Sequence, residues 1–310
     1  MIKLREVDAE IWGHALTSAA FVPLQQSLAY AAALARRGRL IRRFLIEDEG
    51  RTALGIQAAT RSVIGFRFIT TALRGPFSFI PGDDLPHAAF AATVGMLRAR
   101  WPHALILSPD FVANEATQRA MRGAGLREIV SSPSIIQVDL AGDGNAMRKR
   151  LHGKWRNRLV KAEAQGLRVD IKRGGAALAW LLAAHTRLMR VKRFKSLPAE
   201  FVLDLVATSA RRDVFVVAVE AKAQTIAAAL FLRHGPGATY VIAVAEPAGR
   251  IAHAGNLALW QGLRALQDAG VRICDLGQVD GERAAALGHF KLGTGGQPMR
   301  LCGTWTPSWL

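Results

Sequence analysis

A lysine at position 291 stands between Phe290 and a run of glycines in the segment LGHFKLGTGG, residues 287 to 296. Glycine lets a backbone approach a neighbour closely, and a lysine beside it can place one positive charge on whatever arrives. The chemistry open to such a pair is stabilisation of negative charge. That charge could sit on a bound anion or on the oxygen of a carbonyl under attack. A surface lysine ahead of a turn has the same local sequence, so the segment alone does not decide. Asp275, closing the apolar run VRICDLGQ, is a second candidate. An acid at the end of a buried strand is either a structural hydrogen-bond acceptor or part of a site at the sheet's carboxyl edge.

A third feature is the segment MRKRLHGKWRNRLVKAEAQGLRVDIKR, residues 147 to 173, with ten Lys or Arg against two acids. Leu151, Trp155, Leu159 and Ala162 recur at helical spacing, which gives an apolar stripe ringed by basic residues. Gly166 fits the end of that helix. The segment reads as a solvated linker helix or as a helix that contacts phosphates through Lys154, Arg156, Arg158 and Lys161. A second basic cluster, Arg187, Arg190, Lys192, Arg193 and Lys195, makes another phosphate-facing patch. The net charge of +17 favours encounters with polyanions such as nucleic acid, nucleotides or an anionic membrane face.

Several classes find no support. The chain has no P-loop, dinucleotide fingerprint, Gly-x-Ser-x-Gly elbow or His-Glu-x-x-His pair. No Cys/His cluster has metal-ligand spacing, so no metal is expected. The two cysteines, Cys274 and Cys302, lie in apolar, strand-like sequence and read as buried reduced thiols. No apolar run reaches membrane-spanning length, and the opening MIKLREVDAEIW lacks the apolar core of a signal peptide. The expectation is a cytoplasmic protein.

Two stretches suggest how these residues are positioned. Residues 41 to 76 read strand, tight turn at Asp48–Gly50, strand, short loop around Gly65, strand, then Gly75-Pro76. Residues 212 to 247 repeat that order with an offset of 171, turning at Ala221 to Gln224 and ending at Pro247. Each meander is followed by a helical stretch, a strand (ALILSPD or VRICDLGQ), a further helix and a last strand, SIIQVDL or MRLCGTW. The pattern predicts an α/β (α+β) protein of two tandem units, each a mixed, largely antiparallel sheet flanked by helices. The expected division is 1–146 for the first unit and 147–310 for the second, which opens with the basic helix of 147–173.

With these residues in place, the chain resembles the FemABX-type aminoacyltransferases, which are tandem GNAT-like proteins, and the related BioF2-like acyltransferases. PLQQSLAY looks like the family's Gln-Ser-x-x-aromatic opening, at Gln26, Ser27 and Tyr30. Arg74-Gly75-Pro76 is similar to its Arg-Gly-Pro turn. NRLVKAEAQG resembles its Arg/Lys-x-x-Lys-Ala-Glu helix at Arg158, Lys161, Ala162, Glu163 and Gly166. Gly270, Asp275, Leu276 and Gly277 match its Asp-Leu-Gly strand end, and Phe290, Lys291 and Gly295 its Phe-Lys…Gly signature. The matches run in family order from about residue 21 to 303.

The resemblance implies two GNAT-like folds and transfer of an aminoacyl group from aminoacyl-tRNA to an amine of a muramyl-peptide-like acceptor, free or lipid-linked at the membrane surface. It implies no bound cofactor, since aminoacyl-tRNA is a co-substrate, and no stable protein partner. By motif position Lys291 and Asp275 take the catalytic roles, with Lys291 beside the tetrahedral oxyanion. Tyr240, Arg190, Arg74 and Phe290 become substrate contacts. Departures from the pattern point to a different acceptor. Phe79 stands where many members have an acid, with Asp83 and Asp84 further on, and Ala31 to Leu34 offer no lysine before Arg36. The main rival is an acyl-CoA-dependent N-acyltransferase of the same fold. Its pyrophosphate loop is half matched by RIAHAG, with Arg250 and Gly255 in place and His253 where glycine is expected. The other rival is a non-catalytic RNA-binding protein, which the basic helix supports equally well.

Overall fold

The computed structural model describes residues 2–63, 67–80, 86–100, 104–131, 133–279 and 285–307. The loop expected at Gly65 and the acids Asp83 and Asp84 lie outside them. Contacts divide the chain into two compact units, 1–134 together with 299–310, and 135–298.

The first unit contains β1 (Lys3–Val7), α1 (Ala9–Leu16), α2 (Leu28–Ala35), β2 (Leu40–Asp48), β3 (Arg51–Val63) and β4 (Arg67–Leu73). It continues through β5 (Phe77–Ser78), α3 (His87–Arg100), β6 (Ala104–Ser108), α4 (Glu115–Gly123) and β7 (Leu126–Val130). The second unit holds β8 (Ser134–Asp139), α5 (Gly144–Arg150), α6 (Gly153–Glu163), β9 (Arg168–Lys172), α7 (Ala176–Lys192) and α8 (Ala199–Thr208). Then come β10 (Val214–Ala221), β11 (Gln224–His234), β12 (Gly237–Ala245), α9 (Pro247–Ile251), α10 (Ala254–Asp268), β13 (Ile273–Gln278), α11 (Ala285–Leu292) and β14 (Gln297–Arg300). A last strand, β15 (Thr304–Pro307), returns to the first sheet.

The first sheet runs β1-β2-β3-β4-β6-β15-β7, with β5 on β3, and the second runs β14-β8-β13-β12-β11-β10-β9. Each is mostly antiparallel with a parallel pair at its centre, β4/β6 and β12/β13. The two meanders read from sequence are β2-β3-β4 and β10-β11-β12. Their first hairpins turn through two residues in left-handed backbone, Glu49-Gly50 and Lys222-Ala223, the geometry that suits the twist of paired strands.

The boundary differs from the expected 146/147. β8 pairs with β13 and the Leu140 N–H donates to the Arg272 carbonyl, so the strand that ends the first meander's half belongs to the second sheet. β15 in turn lies between β6 and β7, with Trp305 fully buried. The second unit therefore does not extend to 310. Both strands are short, and local pattern carries no record of which sheet they join.

The expected basic linker is an integral part of the second unit. It forms α5 and α6, broken at Leu151–His152, and then β9. Leu151, Trp155, Leu159 and Ala162 are buried as one stripe, and α6 packs on α10. Burying a side chain such as Leu159 contributes about 1.5–3 kcal/mol. Gly166 has positive φ two residues beyond the C-cap Ala164. On β10, Phe215, Val217 and Val219 join the α10 core, and Val214, Val216 and Ala218 on the other face are buried as well. Cover on both faces explains why β10 is a continuous apolar run and not an alternating one.

Candidate active site

The second unit's parallel pair is incomplete. Gly237, Ala238 and Thr239 pair with Ile273, Cys274 and Asp275, after which β12 and β13 share no registered pair. β12 carries an extra residue at this point: Tyr240 faces Phe231 and Ile242 faces Leu230, leaving Val241 bulged. A bulge bends its strand and sharpens the local twist. β13 turns toward β8, with irregular register between Asp275 and Gln278.

Past the parting, Tyr240, Ala243, Val244 and Ala245 form one wall of a cavity of about 390 Å³. Arg158 of α6, Phe290 of α11, and Arg250, His253, Gly255 and Asn256 around the start of α10 complete its polar and aromatic lining. The cavity thus gathers two guanidinium groups, two aromatic rings and the N-terminus of a 15-residue helix, where partial positive charge collects. His253 is the N-cap of α10 at φ 53, the left-handed conformation that glycine adopts more easily. Its imidazole pKa is lowered by burial and further by Arg158 and Lys161. Asn256 is buried and lines the cavity, and its Nδ2 has no hydrogen-bond partner among the described residues.

Tyr240, Phe290 and Arg158 meet in this cavity; the other expected site residues do not line it. Lys291 occupies the last turn of α11 and is 5% exposed, not part of an open glycine loop. Its Nζ donates to the Gln278 carbonyl at 2.9 Å. Burial pushes its pKa down to about 8, against the opposing field of Asp275. Asp275 is buried, and its Oδ1 accepts from the Gly277 N–H at 2.6 Å, holding the bend that ends the parallel pair. Lys291 and Asp275 are therefore neighbours at the parting of β12 from β13, one residue along the chain from the cavity wall at Phe290. The Tyr240 hydroxyl pKa is raised, first by burial and then by Cys274.

The glycines after Lys291 serve a different contact from the one expected. A Cβ on Gly293 would overlap the Trp155 ring, one on Gly295 the Arg150 carbonyl, and one on Gly296 the Ile136 side chain. The close approach they permit is to α5, α6 and β8, which fixes the end of α11 against the unit's own framework.

The remaining expected residues are dispersed. Lys154, Arg156 and Lys161 are exposed on α6 beside Arg158. Arg190 is exposed on α7 and lines a separate groove. Arg74 belongs to the first unit, where its Nε is ion-paired with Asp110. The Gln26 and Gly75 motifs meet each other there. A Cβ on Gly75 would press into the Gln26 amide, whose Nε2 donates to the Leu73 carbonyl at 2.8 Å and whose Oε1 accepts from the Gln57 N–H at 2.6 Å. Ser27 caps α2 through the Tyr30 N–H, and Tyr30 is buried with its hydroxyl pKa pushed up to about 12 by that burial. Gln26, Ser27, Tyr30 and Gly75 thus knit the first unit together. Asn256 escaped the sequence reading. Its one signal is a polar residue on the helix face shared with Leu259, Trp260 and Leu263.

No group of three or more His, Cys, Asp or Glu among the described residues could hold a metal ion, and no helix among them is long and apolar enough to cross a membrane. Residues 147–291 match the acetyltransferase (GNAT) domain, and the match ends on Lys291. No curated protein matches the sequence. Among solved structures, FemX is similar over nearly the whole length, with a TM-score of 0.81 at 10% identity, covering 98% of this chain and 96% of that one. A tandem GNAT protein from the clavulanic acid biosynthesis pathway gives a TM-score of 0.56 at 11% identity, covering 99% and 98%. A protein of unknown function from Bacteroides thetaiotaomicron gives 0.62 at 8% identity, covering 99% of each. At such identities the likeness is one of fold. The match to a GNAT acetyltransferase domain thus lies in the second unit, and the chain as a whole shares the fold of FemX.

Proposed function

We propose that the protein is an N-acyltransferase, which takes an aminoacyl group from aminoacyl-tRNA and joins it to an amine of a peptidoglycan-precursor-like acceptor. The observation that supports this most is the cavity beyond the parting of β12 from β13. Arg158, Arg250 and the α10 N-terminus suit the phosphates of the donor, and Tyr240 and Phe290 suit a nucleoside ring. The Asn256 amide offers a further N–H to a carbonyl or phosphate oxygen. In this reading the acceptor's neutral amine attacks the ester carbonyl, the C–N bond forms, and the C–O bond to the ribose breaks. The amine proton passes to the departing ribose oxygen, which leaves as a hydroxyl. The tetrahedral intermediate carries an oxyanion, and Lys291, turned from the Gln278 carbonyl, supplies its counter-charge. One such contact is worth about 3–4 kcal/mol.

A second reading, an acyl-CoA donor, draws on the same helix N-terminus and the partial loop match at Arg250 and Gly255. His253 at positive φ places an imidazole where a pyrophosphate loop wants bare backbone. A titration with labelled aminoacyl-tRNA at near-physiological salt, competed by acetyl-CoA or uncharged tRNA, separates the readings. Preference for the charged tRNA and indifference to acetyl-CoA is the expected result. Displacement by acetyl-CoA favours the second reading, and equal binding of charged and uncharged tRNA favours a plain RNA binder.

A further inference from the structure

A second concavity lies on the outside of the same unit, between α7 and α8. It has a volume of about 560 Å³ and is lined by Leu182, Ala183, Val191, Ala199 and Leu203, with Thr186, Arg187 and Arg190 along it. Its apolar walls are open to solvent: Val191 is 74% exposed and Leu203 48%. Arg193 ends α7 in left-handed backbone, and the next residue, Phe194, is 40% exposed with one ring edge against His185. Single exposed apolar residues are ordinary on a soluble protein, whereas Val191 and Leu203 share one groove, with Phe194 at its connecting turn.

The charge around this groove is one-sided. From residue 187 to 204 the chain has Arg187, Arg190, Lys192, Arg193 and Lys195 against Glu200 and Asp204. Arg187 is taken by Glu246, which precedes α9. Arg190, Lys192, Arg193 and Lys195 are exposed. Long basic side chains around a small apolar face can spread their stems over hydrocarbon and leave the charges among phosphates. Nucleic acid would engage the cations and leave Val191 and Leu203 in water. A bilayer with anionic headgroups satisfies both.

We propose that the outer face of α7 and the α7–α8 connection dock on an anionic phospholipid surface. Val191, Phe194 and Leu203 enter the acyl boundary, and Arg190, Lys192, Arg193 and Lys195 contact headgroup phosphates. The ion pair of Arg187 with Glu246 ties this face to the segment between Ala245 and Gly249, both of which line the candidate active-site cavity. Docking in this way brings that cavity close to an amine borne at a membrane surface. The inference stands apart from the identity of the acyl donor.

The test is co-sedimentation of the full chain with vesicles of phosphatidylcholine, alone or mixed with phosphatidylglycerol. The wild type is expected on the mixed vesicles and not on the neutral ones. The pair Val191→Ser and Phe194→Ser is expected to lower partitioning about tenfold or more. Arg190→Gln with Arg193→Gln lowers it about thirtyfold. Arg36→Gln with Arg37→Gln, which removes equal charge from the first unit, changes it by no more than about twofold. Circular dichroism confirms that each variant is folded. As a direct probe, Val191→Cys carrying an environment-sensitive fluorophore shifts to the blue on mixed vesicles, since Cys274 and Cys302 are both buried. The proposal is overturned by absence of vesicle binding, by an unchanged apolar variant, by equal losses from the two arginine pairs, or by a probe that stays in water.

Discussion

In the first unit β4 and β6 remain paired from Ile69 with Ala104 to Leu73 with Ser108, and the seam continues past the strand ends. Gly75 bridges Ser108, the Asp110 N–H donates to the Pro76 carbonyl, and Arg74 is ion-paired with Asp110. In the second unit the corresponding strands part after three pairs, and the wall beyond is lined with alanines, arginines and an amide, that of Asn256, with no partner among the described residues. The same topology is thus spent on framework in one copy and on a cavity in the other. One bulged residue, Val241, accompanies the change. A buried amide without a partner, a buried ammonium and a histidine at positive φ all cost stability, and all three lie at the parting. In the proposed function these costs fall in the copy that does the work, while Arg74 beside the first seam is also at positive φ.

The sharpest way to break this contrast is to exchange alanine for a cation in each copy. Lys291→Ala is expected to lower kcat/KM about 100-fold or more, whereas Arg74→Ala leaves the turnover of folded protein nearly unchanged and lowers Tm. Equal activity of Lys291→Ala and wild type would remove that lysine from the chemistry.

Lys291 also makes the second unit's stability depend on pH. Its folded pKa of about 8 lies below its ordinary 10.5, so the unfolded chain binds more protons between these values and stability rises with pH across that interval. The total is on the order of 3 kcal/mol. Denaturant titrations from neutral to alkaline pH should show this rise in the wild type and not in Lys291→Met. If the lysine acts as a cation, transfer falls as pH rises through about 8, where the folded lysine deprotonates.

Gln26→Ala tests the closed copy. It leaves the Gln57 N–H and the Leu73 carbonyl without their partner, at a cost of about 2 kcal/mol in denaturant unfolding, with activity per folded molecule unchanged.

The smallest effect sharpens the difference between filled and empty space. Ala243→Phe places a ring in the cavity and weakens donor binding about tenfold, measured by titration, without lowering Tm. Ala72→Phe on β4, at a fully buried position, lowers Tm because no space exists for it.

Much of this was legible before the fold was known. The strand order of 41–76 and 212–247 follows from β-favouring runs and turn residues, and the α6 stripe from its spacing. Both are local signals. The crossing of β8 and β15 between sheets was not legible, because pairing partners are set by long-range contacts that such short strands do not encode. At the site, Tyr240, Phe290 and Arg158 were singled out and do share the cavity. The role of the Gly293–Gly296 run was misread: a glycine reports close approach without saying whether a ligand or the chain's own Trp155 approaches. Val241 lies within the unbroken apolar run Tyr240–Ala245, so nothing in the pattern marks the bulge.

The position of β15 has a consequence for how the protein is made. Residues 304–307 fill the slot between β6 and β7, and they leave the ribosome some 170 residues after Val130 closes that pair of strands. Throughout synthesis of the second unit, the first has two unsatisfied strand edges and an empty seat for the Trp305 indole. Nascent chains arrested before residue 304 are expected to be cut by protease near 104–130, and chains arrested after Pro307 has cleared the exit tunnel to resist it. Completion of the first unit therefore reports that the second has been made.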